Sequence, residues 1–457
     1  MGLEHQGIDE VPDLIVPSNT DTPQVRIGAG TALNLATQAV GLGTSFLVGV
    51  LVARTLGVQG KGVLSVILQV PAIVLMVLNL GVGTSNTYFV SRGELKPGVA
   101  AANSVMLAVI FGLLGAPVIY TLLVGRLAIV SDVPPLAVAG AILILPTGLL
   151  AAWLSGISVG IGNLALILRF AVASSATTLL GLGVLLSTGN NSPGGVVAIS
   201  VSGTLVGILV FLWGLRRNLS PFRVDFSAIR SSTHFSAKAY VSDIAGQLHN
   251  RQDVLILGWL AGPLAVGLYS VSVSFAELTW YIPSALGSAI MAKGGRTSEA
   301  SGVDYVSRAS RVAIVFMIFT ATVSLILVPF LVPLVYGTAF APSMYAFFAL
   351  LPGVLADGVT RILWNYQTTR GRIYWSQSLA ATVLNVIAVL ALVPLLGPVG
   401  AGIASTISYT AIGAFVVNRF CADTGAKYSD VLVPTAEDIR IITRTLRRLA
   451  TRDGTVD

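Results

Sequence analysis

Five ionisable side chains stand inside long apolar stretches of this chain: Arg251, Asp253, Glu277, Asp357 and Arg361. In hydrocarbon such groups are costly, and they persist where they face a bundle interior or a water-filled path. Their chemistry is the holding and releasing of charge. A guanidinium can grip an oxyanion, and a carboxylate can take up a proton or a cation. Asp357 and Arg361 are four residues apart, so on one helix face they can pair. Arg251 and Asp253 are two residues apart, roughly 200° around a helix, so with Asp253 on the cavity stripe Arg251 falls on its flank. The three acids are read as cavity residues, because an acid in a dry helix seam costs more than one beside water.

The elements that must carry these groups follow from composition. The chain has 457 residues, 54% of them hydrophobic and 10% charged, against roughly 25% charged in an ordinary soluble domain. A membrane-spanning helix needs about 20 mostly apolar residues. Twelve segments qualify: 28–53, 62–90, 99–124, 135–154, 164–187, 195–215, 237–260, 264–291, 312–335, 343–363, 376–396 and 399–418. The expectation is an all-α integral membrane protein of twelve transmembrane helices, in two six-helix lobes around a central cavity.

Lys and Arg sort strongly by side. One set of loops and tails holds 23 of the 27, and the other holds Arg54, Lys61 and Arg126, with Arg251 inside a span. The positive-inside rule then puts both termini in the cytoplasm. The formal charge of +7 reflects that bias, and no nucleic-acid partner is needed to explain it. Arg54, at the outer end of the first span, reads as an interfacial anchor. The residues before Arg26 lack the basic-then-apolar order of a cleaved signal peptide and read as a flexible cytoplasmic tail. Cys421 is the single cysteine, and His5, His234 and His249 are scattered without metal-ligand spacing. Trp280, Tyr281, Trp364, Tyr366, Tyr374 and Trp375 read as belt or packing aromatics.

A weak internal repeat runs at an offset of 205 residues. Gly62-Val63-Leu64-Ser65-Val66 matches Gly267-Leu268-Tyr269-Ser270-Val271, and Gly195 and Ser200 match Gly400 and Ser405. Six spans per half give both halves the same orientation, related by an axis along the membrane normal. The eighth span carries Ser270, Ser274, Glu277, Tyr281, Ser284 and Ser288 on one face. The offset maps these to Ser65, Gln69, Ala72, Met76, Asn79 and Gly83. The first span shows Asn34, Gln38, Gly41 and Ser45. Its counterpart on the seventh is Ala239, Asp243, Gly246 and Asn250, continuing to Asp253. These four stripes are expected to face a shared cavity, although Ser and Gly also serve as ordinary glue between membrane helices. The candidate cavity residues are therefore Asn34, Gln38, Gln69, Asn79, Asn250, Arg251, Asp253, Ser274, Glu277, Ser284, Asp357 and Arg361. The organisation expected is a tail over 1–26, lobes over 27–217 and 237–420, a linker over 218–236, and a basic tail over 421–457. Within that tail, Thr435-Ala-Glu-Asp438 reads as a capping box opening an amphipathic helix, with Ile439, Ile442, Leu446 and Leu449 on one stripe among arginines.

The stretches Leu33–Val66, Asn79–Glu94, Arg251–Val271 and Ile282–Gly287 come in a characteristic order, followed by Pro333–Phe340 and Asn385–Thr406. In that order the chain resembles the polysaccharide-biosynthesis flippases, the Wzx-like O-antigen exporters of the multidrug/oligosaccharidyl-lipid/polysaccharide superfamily. The resemblance covers roughly residues 28–420. It implies two six-helix lobes opening alternately to each side. It also implies export of an oligosaccharide carried on polyprenyl pyrophosphate. Basic cavity residues hold the pyrophosphate in the family; here Arg251, with Arg361, Arg169 and Lys293, fills that role by resemblance. The first span has no internal arginine, a departure from the lipid II flippase pattern. The acids are left to carry a coupling proton or sodium ion, and no cofactor is expected. Membrane lipids and glycan-assembly enzymes are the expected partners besides the lipid-linked glycan. The competing reading is an ion-coupled small-molecule exporter; such proteins commonly use an acid in the first span, and none lies between Arg26 and Arg54. A membrane enzyme is disfavoured by short outer loops, and ATP hydrolysis by the lack of a Gly-rich nucleotide loop.

Overall fold

A computed structural model describes residues 24–125, 129, 133–189, 191–232, 240, 244, 249, 251–280, 283–284, 286–287, 299–370 and 375–440. The described residues are helical throughout and contain no strand. In chain order the helices are α1 (Gln24–Leu78), α2 (Val82–Ser91), α3 (Pro97–Leu123), α4 (Pro135–Gly160), α5 (Leu164–Ser187) and α6 (Pro193–Leu215). They continue as α7 (Gln252–Glu277), α8 (Glu299–Tyr336), α9 (Ser343–Thr369), α10 (Trp375–Leu396), α11 (Pro398–Thr424) and the short α12 (Tyr428–Leu432).

Ten of these helices are long and apolar enough to cross a membrane. Two of the ten are each two arms broken at a single glycine: α1 at Gly57 and α7 at Gly262. Counting arms gives twelve apolar helical segments among the described residues. Four spanning helices, α3, α4, α6 and α11, open with a proline in the first turn, where its missing N–H is no loss. Ser192 caps α6 through the Gly195 amide, and Gly425 ends α11 in the left-handed region. Large apolar side chains stay exposed on the outer faces, among them Leu113, Leu180, Leu209, Phe330 and Leu395. Such a surface is suited to lipid rather than water.

Three boundaries depart from the sequence reading. The second span is interrupted at residues 79–81, where Leu80 and Gly81 take positive φ, and resumes as α2. The ninth span runs a further stretch back to Glu299 as part of α8. The seventh span, expected unbroken over 237–260, has a non-helical residue at Arg251 (φ −130°, ψ −15°), from which α7 departs.

The 205-residue offset returns at the level of the backbone. Gly57 has φ 67° and ψ −173°, and Gly262, 205 positions on, has φ 76° and ψ −179°. Only glycine adopts that conformation without strain. Just past each break the two halves touch. A Cβ on Gly62 would lie 1.7 Å from the Pro263 carbonyl oxygen, and one on Gly267 would lie 2.0 Å from that of Val58. The offset exchanges the two contacts, since it carries Gly62 to Gly267 and Val58 to Pro263. This is an isologous contact within one chain, as a pseudo-twofold axis requires. A core cluster surrounds it, drawing Val52, Leu64, Val66 and Ile67 from α1 and Leu257, Val266 and Tyr269 from α7.

The segment after α11 folds back onto the second half. Asp438 accepts from the Thr435 amide and hydroxyl, and its own amide approaches the Thr435 hydroxyl, forming the expected capping box. The same carboxylate binds Arg311 of α8 at 2.8 Å, and Glu437 lies 3.8 Å from Arg308. Burial pushes the Asp438 carboxyl up, but the Arg311 and Thr435 hydrogen bonds outweigh it and hold it below its ordinary range. The clamp is therefore present above the ordinary aspartate range and is lost only as pH falls through that depressed value. It borders a cleft of about 970 Å³ lined by Ser307, Asp423, Asp430 and Thr435. The arginine-bearing remainder of the expected amphipathic helix and the N-terminal tail lie outside the described residues.

Replacing Gly62 or Gly267 by Ala is expected to destabilise the protein by about 1–3 kcal/mol, because backbone must move to admit the methyl. Gly41→Ala, where nothing lies within 4 Å, should cost nothing or stabilise. Thermal unfolding in detergent compares the three; equal midpoints would refute the close crossing.

Candidate functional site

The charged residues form two groups, both in the second half. The first is partly solvated. Arg251 stands at the break before α7, with 54% of its side chain exposed. Its guanidinium lies 3.8 Å from Glu277, the last residue of α7, itself 33% exposed. That is a loose pair, beyond hydrogen-bond distance. Gln69 on α1 donates to the Arg251 carbonyl at 3.3 Å, so a polar contact crosses between the halves here. The 3₁₀ turn Leu278–Trp280 then places Trp280, whose indole N–H donates to the Val354 carbonyl at 3.2 Å. The Arg361 guanidinium lies 4.1 Å from the centre of that indole ring. Arg361 Nε also binds Asp357 at 2.7 Å, the i, i+4 pair expected on α9. Two arginines, each offset by an acid, thus stand in this half, one of them over an aromatic face.

The second group is dry. Asp253 is 4% exposed and sits in the first turn of α7. Its Oδ2 accepts from the Tyr269 hydroxyl at 2.5 Å and from Ser405 at 3.2 Å, while Oδ1 accepts from the Val254 amide. Tyr269 lies on the other arm of α7, so this carboxylate ties the two arms together across the Gly262 break. Around it Asn385 donates toward Ser405 and Ser408, and Gln252 donates to the Thr382 carbonyl and toward Asn385. The network joins α7, α10 and α11. A buried carboxylate needs such donors or it must be neutralised. One carboxylate, three hydroxyls and two carboxamides are linked by these hydrogen bonds.

Other expected residues fall elsewhere. Asn34 and Gln38 are exposed on α1, with the Gln38 amide 3.4 Å from the Asn34 oxygen. Asn79 turns into the first half, where its oxygen accepts from the Trp153 indole at 2.6 Å. Ser274 is exposed and donates to the Ser270 carbonyl one turn back. Ser284 is half-buried, Arg169 is exposed, and Asn250 and Lys293 lie outside the described residues. The geometry inverts one expectation. Asp253 was placed on the cavity stripe and Arg251 on its flank, whereas Arg251 is the solvated residue and Asp253 the buried one. The stripe assumed an unbroken helix, and the break at Arg251 rotates the residues that follow. Residues that the stripes missed also converge here. Asn385 and Ser405 complete the buried network, and His249 stacks edge-on against Tyr409 at 5.1 Å with neither ring nitrogen hydrogen-bonded among the described residues.

The described helices make a multi-pass membrane protein whose two halves repeat one backbone geometry at an offset of 205 residues. The family model described as polysaccharide biosynthesis protein matches residues 27–293, and the chain belongs to that family. Among solved structures it is similar to the lipid II flippase MurJ in an inward closed conformation: TM-score 0.70, 13% identity, covering 94% of this chain and 94% of that one. It is also similar to an inward-facing multidrug resistance MATE family transporter of the MOP superfamily: TM-score 0.66, 15% identity, 86% of this chain and 99% of that one. For an outward-facing MATE transporter the TM-score is 0.52 at 14% identity, covering 87% and 95%. No curated protein matches the chain. At such identities the shared property is the fold.

Tyr269→Phe removes a donor from a buried carboxylate and is expected to cost about 1–3 kcal/mol. Ser274→Ala, at an exposed position bonded only within its helix, should stay within about 0.5 kcal/mol. Unfolding midpoints in detergent test both, and indistinguishable values would remove Asp253 from the structural centre of the second lobe.

Proposed function

We propose that this protein is a flippase that carries an oligosaccharide on polyprenyl pyrophosphate from the cytoplasmic to the outer leaflet of the cytoplasmic membrane. The observation that carries the reading is the loosely held, half-exposed Arg251 facing Glu277, with Arg361 and Trp280 close by on the same lobe. A pyrophosphate offers oxygens that a guanidinium binds in bidentate fashion, better than a carboxylate 3.8 Å away does. The indole face is suited to a sugar ring or to the cation above it. The family match adds polysaccharide biosynthesis as the setting. A glycan cannot cross about 30 Å of hydrocarbon unaided. A polar path between lobes of residues 27–217 and 237–420 supplies replacement hydrogen bonds, while the prenyl chain stays in lipid.

Transport then consists of the lobes rocking about their interface. The Lys and Arg bias places both termini in the cytoplasm, which makes the end at Gly57 and Gly262 the outer one. With that end shut by the glycine crossing, the present state faces inward. Asp253 is assigned to a coupling proton or sodium ion, because it bridges both arms of α7. Its neutralisation changes how those arms pack beside the lobe contact. The reading needs no catalytic group and no ATP. Membrane lipids, and assembly enzymes docking beside the Arg311–Asp438 clamp, complete the expected partners.

Deleting the chain should accumulate lipid-linked glycan on the cytoplasmic face, and Arg251→Gln should lower export about tenfold or more while leaving the amount of folded protein unchanged. The measurement is accessibility of the lipid-linked glycan to an impermeant enzyme from each side. Unchanged export in both Arg251→Gln and Arg361→Gln would overturn the assignment.

A further inference from the structure

Two cations of the first half sit at the outer crossing, and neither is engaged by an acid. Arg54 reaches across to α8: its Nε donates to the Val335 carbonyl at 2.8 Å and its Nη2 to the Leu334 carbonyl. These oxygens belong to the last turn of α8, which ends at Tyr336 and so leaves its final carbonyls without helical donors. The helix dipole makes that end partially negative. Arg54 therefore caps a helix of the opposite half, a contact that an interfacial anchor does not require.

Lys61 is different. It is 9% exposed, and among the described residues it has no ion pair. Its Nζ lies 5.9 Å from the centre of the Tyr336 ring, near the limit of a cation–π contact. Tyr336 is itself walled in by Phe46, Phe275 and Phe340. No Asp or Glu occurs anywhere between Arg26 and Glu94, nor in the 336–342 connection opposite. A buried ammonium held only by a distant ring has lost its water without regaining equivalent partners. The offset of 205 puts Trp259 and Val266 at the corresponding places of the second half, so the repeat does not require these cations.

We infer that Arg54 and Lys61 are opposed positioning residues for transport: Arg54 latches the closed outer end, and Lys61 loads it to reopen. Closing satisfies the α8 carbonyls with a guanidinium and, in the same movement, strips water from Lys61. Opening rehydrates Lys61 and releases Arg54 to water. Carbonyls and an aromatic ring suit this task better than a carboxylate. Neither partner is left as an uncompensated buried charge when the contact breaks. The inference rests on the alternating-access reading above and assigns signs within it.

The test uses the full chain in lipid nanodiscs with Cys421→Ser, spin-labelled at Leu136→Cys and Tyr345→Cys. Both positions are exposed and start helices at the outer end of opposite lobes. Distance distributions by double electron–electron resonance give the open-to-closed ratio. Arg54→Gln should raise that ratio about tenfold, equivalent to about 1.4 kcal/mol. Arg54→Lys, which can still reach one carbonyl, should restore part of it. Lys61→Met should lower the ratio by a similar factor while raising the unfolding midpoint. A merely structural role would change the midpoints of both variants and leave the ratio alone. Two populations that do not respond to either variant, or that shift in the same direction in both, overturn the latch while keeping alternating access. One population throughout overturns both.

Discussion

The architecture depends on a place where two backbones nearly touch. Gly62 against Pro263 and Gly267 against Val58 allow no side-chain atom between them. Each contact is possible only because a glycine just upstream, Gly57 or Gly262, takes a conformation closed to other residues. The two requirements are linked by one offset, so the chain meets the same geometric demand twice. A contact of this kind is well suited to a closure that must reopen. It is small and, among the described residues, free of ion pairs, so parting it breaks little.

Charge is then distributed unevenly around a nearly symmetric frame. The spans of the first half up to Glu94 contain no acid, while Asp253, Glu277 and Asp357 lie in the second. The second lobe thus holds both a solvated wall, Arg251 with Glu277 and Arg361 with Trp280, and a dry network around Asp253. Only a few residues separate the two, and Asp253 touches Tyr269, two positions from the Gly267 contact. One hydrogen bond and one helix arm therefore connect Asp253 to the crossing. The first half contributes neutral polar groups, such as Gln69, and the two cations Arg54 and Lys61 at the glycine crossing.

What the sequence revealed follows from what each feature demands. The repeat was visible because glycines at Gly62 and Gly267 are dictated by backbone contact, which no other residue can satisfy. The twelve spans were visible because hydrocarbon excludes charge over a fixed length. The Asp357–Arg361 pair was visible because helix geometry alone puts i and i+4 together. The assignment of Arg251 and Asp253 to flank and stripe failed at one non-helical residue, whose φ of −130° no periodicity signals. Asn79 read as a cavity residue because its partner, Trp153, is 74 positions away. Asn385 and Ser405 looked like ordinary seam residues, and only the buried carboxylate they face makes them part of a site. Arg54 looked like an anchor because its acceptors are backbone carbonyls, which leave no trace in side-chain pattern.

The most direct measurement joins the glycine crossing to the proposed transport. A disulfide between Val66→Cys and Gly258→Cys, in Cys421→Ser protein, would bind the halves beside the crossing; a Cβ on Gly258 lies 3.2 Å from the Val66 side chain. In proteoliposomes carrying a fluorescent polyprenyl-pyrophosphate oligosaccharide, flipping should stop on oxidation and return on reduction. Flipping that continues at its full rate with the halves cross-linked would contradict a mechanism in which the lobes part at the glycine crossing.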